Sequence, residues 1–268
     1  MSPRVLVTND DGIDAVGIRV LAAALAARGL DTVVAAPRVD SSGTSAALTA
    51  TEDDGRVLID RRDLDGLTAY AIAGSPAYIT LLGLHGAFGP APDLVVSGIN
   101  RGANAGRAVL HSGTVGAALT ASAAGCRAMA VSLDILSASA ATTASGGAVM
   151  RMSEADEAAR NWRTAARAAV DLVDGLLALP AGVVLNVNAP DVPPDRLRGV
   201  RQASLAAFGQ VQMTVVESGE GFVRTALEQN GERLVPGTDL AALADGFASV
   251  TALRALGELS DVEIAGVS

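Results

Sequence analysis

Asp10 and Asp11 stand side by side at the end of a short apolar run, Val5-Leu6-Val7, and Gly12 follows them. The run has β-branched members and reads as a strand buried on both faces. In an open α/β sheet, ligands bind just beyond the carboxyl ends of the strands, where these two carboxylates would fall. Neighbouring side chains on a regular strand point to opposite faces. Adjacent aspartates therefore converge on one ligand only where the strand has ended, and Gly12 permits that bend. Two carboxylates so close repel each other, and a divalent cation would relieve the repulsion. The same residues also suit an Asx-turn, with Asp11 or Asp14 capping the next helix.

Three other stretches carry usable chemistry. Asp40-Ser41-Ser42-Gly43-Thr44-Ser45 is a polar loop after the second strand, at the same sheet edge as Asp10 and Asp11; it reads as a surface turn or as hydroxyls facing a ligand. Gly98, Gly102 and Gly106 recur at every fourth position with Asn100 and Asn104 between them. That spacing suits a loop whose backbone approaches something closely rather than a helix. Ser112-Gly113-Thr114 opens an Ala-rich helix running to Gly125. Such a start is an ordinary N-cap and also an anion site, with amides and a positive dipole end.

The composition removes several kinds of chemistry. All 20 basic residues are arginine, so a P-loop lysine, a Schiff-base lysine and a Ser-Lys nucleophile are excluded. His85 and His111 are too few for a three-histidine zinc site; His85 suits the C-terminal end of a helix. Cys126 is the single cysteine, so it forms no intrachain disulfide, and its apolar setting reads as core. A net charge of −9 argues against nucleic-acid polymers and anionic membranes as partners. Half the residues are hydrophobic but only 3% aromatic, so the core must be built from Ala, Val and Leu. No stretch reaches the length of a membrane span, and Asn9-Asp10-Asp11 arrives too early for a signal peptide. The expectation is a soluble cytoplasmic protein.

The elements that would position these groups follow in order. Ala15 to Arg28 predicts a helix with Ile18, Leu21, Ala22 and Leu25 on one face and Gly29 as its C′ residue. Thr32 to Ala36 predicts a strand parallel to the first, through a right-handed crossover. Between Leu48 and Tyr70, Asp53-Asp54-Gly55 and Asp65-Gly66 mark turns between short strands. Ala69 to Ala73 is a strand, and Ser75 caps a helix with Pro76 at its first position. Asp93 to Ser97 and Ala128 to Leu133 are buried strands. Residues 135–155, rich in Ser, Ala, Thr and Gly, read as a flexible insertion. Asn161 to Leu179 is an amphipathic helix anchored by Trp162, with Ala166, Val170, Val173 and Leu177 inward. Val183 to Val187 is a strand and Asn188-Ala189-Pro190 a turn. Gln210 to Glu217 and Gly221 to Glu228 read as an antiparallel pair, with Asn230-Gly231 as a turn signal nearby. Residues 200–268 find no place in the parallel sheet and suit a hairpin and extension that pair with another subunit. A short helix through Ala244 and a strand from Ala248 to Leu253 complete the reading. The fold class is α/β: one Rossmann-like domain, 1–268, with a mostly parallel sheet between helices.

Taken together, the motifs resemble the SurE family of survival proteins, divalent-metal-dependent 5′-nucleotidases. The opening Val5-Leu6-Val7-Thr8-Asn9-Asp10-Asp11-Gly12-Ile13 looks like that family's first motif. Val95-Val96-Ser97-Gly98-Ile99-Asn100-Arg101-Gly102-Ala103-Asn104 is similar to its central loop, and Ser112-Gly113-Thr114-Val115-Gly116-Ala117 to its next helix start. Gly237-Thr238-Asp239 and Ser249-Val250-Thr251 fit its C-terminal signature. The resemblance implies a swapped β-hairpin, a homodimer or homotetramer, and metal ligation by Asp10, Asp11, Ser42 and Asn100. All four donors are oxygens, which suits Mg²⁺ or Mn²⁺. Two carboxylates would balance the ion's charge, so a phosphate dianion can still approach. The implied reaction is hydrolysis of nucleoside monophosphates by cation-activated water. Asp10 and Asp11 would be the catalytic pair. Asn9, Gly43, Asn104, Ser112, Gly113 and Thr114 would contact substrate, the last four around the phosphate in place of the missing lysine. Arg101 and Arg107 read as solvated surface arginines or as spare cations near the phosphate.

The chain departs from the family pattern at Ser45, Ala46 and Ala47, where Gly, a basic residue and Ser are usual. It departs again at Tyr78, at His111, where an aromatic is usual, and in the 135–155 insertion. These departures support the main alternative, a non-catalytic nucleotide- or metal-binding module descended from an enzyme. An aspartyl-phosphate phosphatase needs two aspartates one residue apart after the first strand, where here they are adjacent, and a lysine, which the chain lacks. No G-x-G-x-x-G follows the first strand, against a dinucleotide oxidoreductase.

Overall fold

The structure, a computed structural model, describes residues 2–135, 153–208, 211–229, 234–254 and 257, of which 154, 211–213 and 226–229 are described by their backbone. In chain order the elements are β1 (Arg4–Thr8), α1 (Val16–Ala27), β2 (Asp31–Pro37), β3 (Glu52–Asp53), β4 (Arg56–Val57), β5 (Ile59–Leu64) and β6 (Leu67–Ile72). Next come α2 (Pro76–Leu84), β7 (Leu94–Arg101), a 3-10 helix (Gly106–His111), α3 (Gly113–Ala123), β8 (Arg127–Asp134), α4 (Glu154–Ala158) and α5 (Trp162–Ala178). The chain closes with β9 (Val183–Pro190), β10 (Val200–Gln202), β11 (Val211–Gly219), β12 (Phe222–Gln229), α6 (Asp239–Ala244) and β13 (Ala248–Arg254).

Nine strands form one sheet in the order β10-β13-β9-β8-β7-β1-β2-β6-β5. β1 pairs in parallel with β2 on one side and β7 on the other. The chain thus winds outward through β2 and β6, then crosses back to β7, β8 and β9. β1 lies at that reversal of strand order, the place where such sheets open a ligand crevice at their carboxyl edge. Val5 and Val7 face one apolar layer and Leu6 the other, the alternation a two-sided strand requires. Ile18, Leu21 and Leu25 of α1 and Trp162, Ala166 and Val173 of α5 cover the first face. Ile79 of α2 and Val115, Ala118 and Ala121 of α3 cover the second. A fully buried side chain such as Leu21 contributes roughly 1.5–3 kcal/mol by leaving water. Alanines keep the helices close to the sheet, which is how a core poor in aromatics still fills its space.

The expected turns at Asp54-Gly55 and Asp65-Gly66 are present, each with two consecutive residues at positive φ. That is the backbone a two-residue hairpin turn needs. Several elements run further than the sequence indicated. β7 continues past Ser97 to Arg101, with a register shift between Ser97 and Asn100 and a cis Gly98–Ile99 peptide. β9 continues through Asn188-Ala189-Pro190, expected as a turn. Ser75 precedes α2 as expected but makes no cap bond; its hydroxyl donates to the Ala47 carbonyl and holds the 47–49 segment. The tail does find a place in the main sheet: β13 pairs antiparallel with β9, and β10 parallel with β13. β11 and β12 form the separate hairpin.

Most of the expected insertion, and Asn230-Gly231, lie outside the described residues. The insertion's last residues are helical, because Ser153 caps α4. Among the described residues no helix is long and apolar enough to cross a membrane.

Candidate active site

β1 ends at Thr8, and the Asn9–Gly12 turn follows at its carboxyl tip. Asn9 is fully buried and closes that turn on itself: Nδ2 donates to the Gly12 carbonyl at 2.9 Å, and Oδ1 accepts the Gly12 amide at 3.2 Å. Gly12 has φ of 99°, the bend expected of it. Asn9 thus forms a clasp that sets the direction of the next two residues.

Asp10 turns toward α3. Its Oδ2 accepts the Thr114 amide at 3.1 Å, its Oδ1 accepts the Thr114 hydroxyl, and its backbone carbonyl accepts the Ser41 amide at 2.7 Å. This approach needs Gly113, because a Cβ there would lie 2.8 Å from Asp10 Oδ2 and 3.0 Å from Thr44 Oγ1. Gly116, one turn on, lets the same helix meet the 40s loop; a Cβ there would sit 2.1 Å from the Ser45 carbonyl oxygen.

Asp11 turns toward β7. Oδ1 accepts Arg101 Nε at 2.8 Å, and Oδ2 accepts the Arg101 backbone amide at 3.1 Å. Arg101 Nη2 also donates to Asp40 Oδ2 at 3.2 Å, while Asp40 Oδ1 accepts the Ser42 amide at 2.9 Å. The Arg101 side chain is only 15% exposed, so it is not the solvated surface residue the sequence suggested. Arg107 is exposed.

Burial raises the pKa of Asp10, against the two bonds from Thr114. Burial, and then the neighbouring Asp10 charge, push Asp11 up to about 7 despite Arg101. Burial works against the Arg101 charge, but the Asp11, Glu157 and Asp40 carboxylates together hold the guanidinium above its usual range. The pair is thus two buried carboxylates pressed together with one internal cation beside them. A dication fits that deficit. Asn100 Nδ2 donates to the Gly102 carbonyl at 2.8 Å, leaving Oδ1 as the atom available to an ion. Among the described residues no group of three or more His, Cys, Asp or Glu is placed to hold a metal. A cation at this edge would depend on two carboxylates and neutral oxygens, a set for a hard ion.

The sheet edge also collects the expected anion-binding residues. Ser112 Oγ accepts the Val115 amide at 3.0 Å as the cap of α3, which leaves its proton to donate. The Thr114 hydroxyl proton is committed to Asp10. Asn104 is anchored through its backbone and its side-chain nitrogen: its amide donates to Asn188 Oδ1 at 2.7 Å, its Nδ2 to Ser132 Oγ at 2.9 Å, and its carbonyl accepts both Asn186 and Asn188. Gly43 sits exposed in the 40s loop at φ of 77°.

Residues 5–212 match the family model described as survival protein SurE. The chain belongs to the SurE family. A 5′-nucleotidase SurE of Aeromonas hydrophila is 33% identical over 255 residues, covering 93% of this chain and 91% of that protein. One from Stenotrophomonas maltophilia is 36% identical over 256 residues, covering 94% and 89%. The crystal structure of a SurE protein from Aquifex aeolicus superposes with a TM-score of 0.73 at 28% identity, covering 97% of this chain and 96% of that one. The SurE match spans the strand tips that carry Asp10, Asp11, Ser42, Asn100 and the start of α3.

The sequence placed Asp40 and Thr44 at this edge but did not show the bonds from Arg101 to Asp11 and Asp40. An aspartate two residues before Ser42 is a local Asx-turn signal and was readable. The Arg101 contact spans 90 residues of chain and left no local trace.

Proposed function

We propose that this chain is a divalent-cation-dependent 5′-nucleotidase that hydrolyses nucleoside monophosphates to nucleoside and phosphate. The observation that carries the reading is the buried Asp10–Asp11 pair at the sheet's reversal point, in a chain whose SurE relatives are named 5′-nucleotidases. Asp10 and Asp11, with Ser42 and Asn100 as neutral oxygens, would hold Mg²⁺ or Mn²⁺. When bound, the cation supplies charge neutralisation at the phosphoryl oxygens and a water of lowered pKa.

The chain's own residues do the rest. Thr114 holds the Asp10 carboxylate by two donors, so its orientation is set before substrate arrives. The Ser112 hydroxyl and the start of α3 offer donors to phosphate oxygens. Asn104 shapes this wall through its anchored backbone. A cleft of about 370 Å³ opens beside Ser41 and Thr44, walled by Pro37, Val39, Ala50 and Ile72. Its size and mixed lining suit the nucleoside half of the substrate.

The β11–β12 hairpin exposes Val215 and Val223, each more than 60% accessible, on a two-stranded unit too small to stand alone. Burial against another copy, in a homodimer or homotetramer, accounts for those side chains, and light scattering of a Val215→Glu/Val223→Glu variant tests it. A cytoplasmic location agrees with the single buried cysteine, whose thiol burial pushes up to about 11.

Phosphate release from nucleoside monophosphates and p-nitrophenyl phosphate, with Mn²⁺, Mg²⁺ or chelator, tests the function. Cation-dependent release is expected. Binding of nucleotide without release under any of these conditions would favour the non-catalytic reading.

A further inference from the structure

Arg101 occupies a position the proposed chemistry does not use, yet it is among the most heavily engaged side chains at this edge. It bonds Asp11 through both Nε and its backbone amide, and reaches Asp40 through Nη2. Asp40 in turn fixes the Ser42 amide. The Glu157 carboxylate of α4 adds a further charge acting on Arg101. The chain Asp11–Arg101–Asp40–Ser42 therefore links the tip of β1, the end of β7 and the loop after β2. These three segments carry Asp10, Asp11, Ser42 and Asn100, and the Arg101 guanidinium and the Asp40 carboxylate join them.

We propose that Arg101 and Asp40 form a positioning strut that holds Asp11 and the Ser42 loop in register for a divalent cation. The inference rests on the cation-site reading above. Two effects of Arg101 oppose each other, and their signs make the idea testable. As a nearby positive charge it repels a dication, so its loss would tighten binding. As a fork that fixes an Asp11 oxygen and Asp40 together, its loss would let both carboxylates and the 40s loop relax, and binding would weaken. The strut requires the second effect to win. The bonds are directional, the guanidinium is largely buried, and charge repulsion alone needs no contact with Asp40.

The test is calorimetric titration of Mn²⁺ into the metal-free full-length protein, with thermal melting of each variant to confirm folding. Arg101→Ala is expected to weaken Mn²⁺ binding by about 10–100-fold, the usual effect of removing a partner that orients a ligand. Arg101→Lys restores the charge but not the fork, and is expected to bind no better than Arg101→Ala. Asp40→Asn keeps the shape, carries the test if Arg101→Ala does not fold, and is expected to weaken binding as well. Combining Arg101→Ala with Asp40→Asn should cost little beyond the worse single change. Tighter binding by Arg101→Ala, full rescue by lysine, unchanged binding by Asp40→Asn, or additive losses would each overturn the strut. If the unaltered protein binds no Mn²⁺, the cation-site reading itself fails; if it binds and turns over while the variants match it, only the strut fails.

Discussion

Asp239 and the Asp10–Asp11 pair are all buried carboxylates, and the protein satisfies them in different ways. Asp239 is fully buried and accepts three backbone amides: Gly106 at 2.7 Å, Ala206 at 2.9 Å and Leu240 at 2.9 Å. It knots the end of the glycine-spaced loop to the chain before α6, and its donors belong to the fold. Asp10 and Asp11 accept bonds too, but burial works against both charges, with Asp40 adding repulsion at Asp10 and Asp10 adding it at Asp11. A buried carboxylate met by fixed amides maintains structure. Two set against each other hold a destabilising arrangement that a ligand can relieve.

The comparison breaks most clearly through exchange of the acids. Asp10→Asn should lower cation-dependent kcat/KM on the order of a thousandfold, the scale of removing a key electrostatic group. Its melting temperature without metal should hold or rise, because one of the repelling charges is gone. Asp239→Ala should do the reverse, losing roughly 3 kcal/mol of stability from the stranded amides. The kcat of its folded fraction should stay within about tenfold of the parent. Equal loss of activity and stability in both variants, by steady-state kinetics and denaturant melts, would erase the distinction.

Gly116→Ala probes the wall that brings α3 to the 40s loop. The new Cβ meets the Ser45 carbonyl at 2.1 Å, so the helix must shift, at roughly 2 kcal/mol. Urea melts read the cost, and kcat/KM reads whether Asp10 moves with its helix.

The pH dependence sharpens the comparison further. Asp11 is raised from 3.8 to about 7 in the folded protein, so folding favours its protonated form. That contribution is present below the unfolded pKa and is lost as pH rises through about 7. Without metal, the melting temperature should therefore fall between about pH 4 and pH 7 relative to an Asp11→Asn variant. Parallel curves for the two proteins would contradict the raised pKa. The smallest effect belongs to the surface: Arg62→Ala breaks an exposed pair with Asp14 at 3.2 Å and should change stability by less than about 1 kcal/mol.

Much of this was legible in the chain because it is local. Val5-Leu6-Val7 announced the central strand, the Asp-Gly pairs announced hairpin turns, and Ser112 and Thr238 cap the helices they precede. The aspartate pair was readable because it follows a strand and precedes a glycine. What stayed hidden depends on distant partners. β9 continues through Asn188, a poor strand former, because that asparagine is satisfied by the backbone of Asn104. β13 joins the sheet through a register with β9 set some 65 residues away. Arg101 carries no local mark that distinguishes a buried fork from a solvated arginine. The bonds that Asn9 makes to Gly12 and Thr114 makes to Asp10 left no mark in the sequence either, which showed only their place at the sheet edge.

The central claim is that the tip of β1 holds a pair of carboxylates waiting for a hard dication. Calorimetric titration of Mn²⁺ into the metal-free protein and its Asp10→Asn variant, at pH 6 and pH 8 in buffers of different ionisation enthalpy, tests it most directly. The account predicts saturable binding by the parent protein, more protons released at pH 6 than at pH 8, and loss of that binding in the variant. Absence of binding, or binding that Asp10→Asn leaves unchanged, would contradict it.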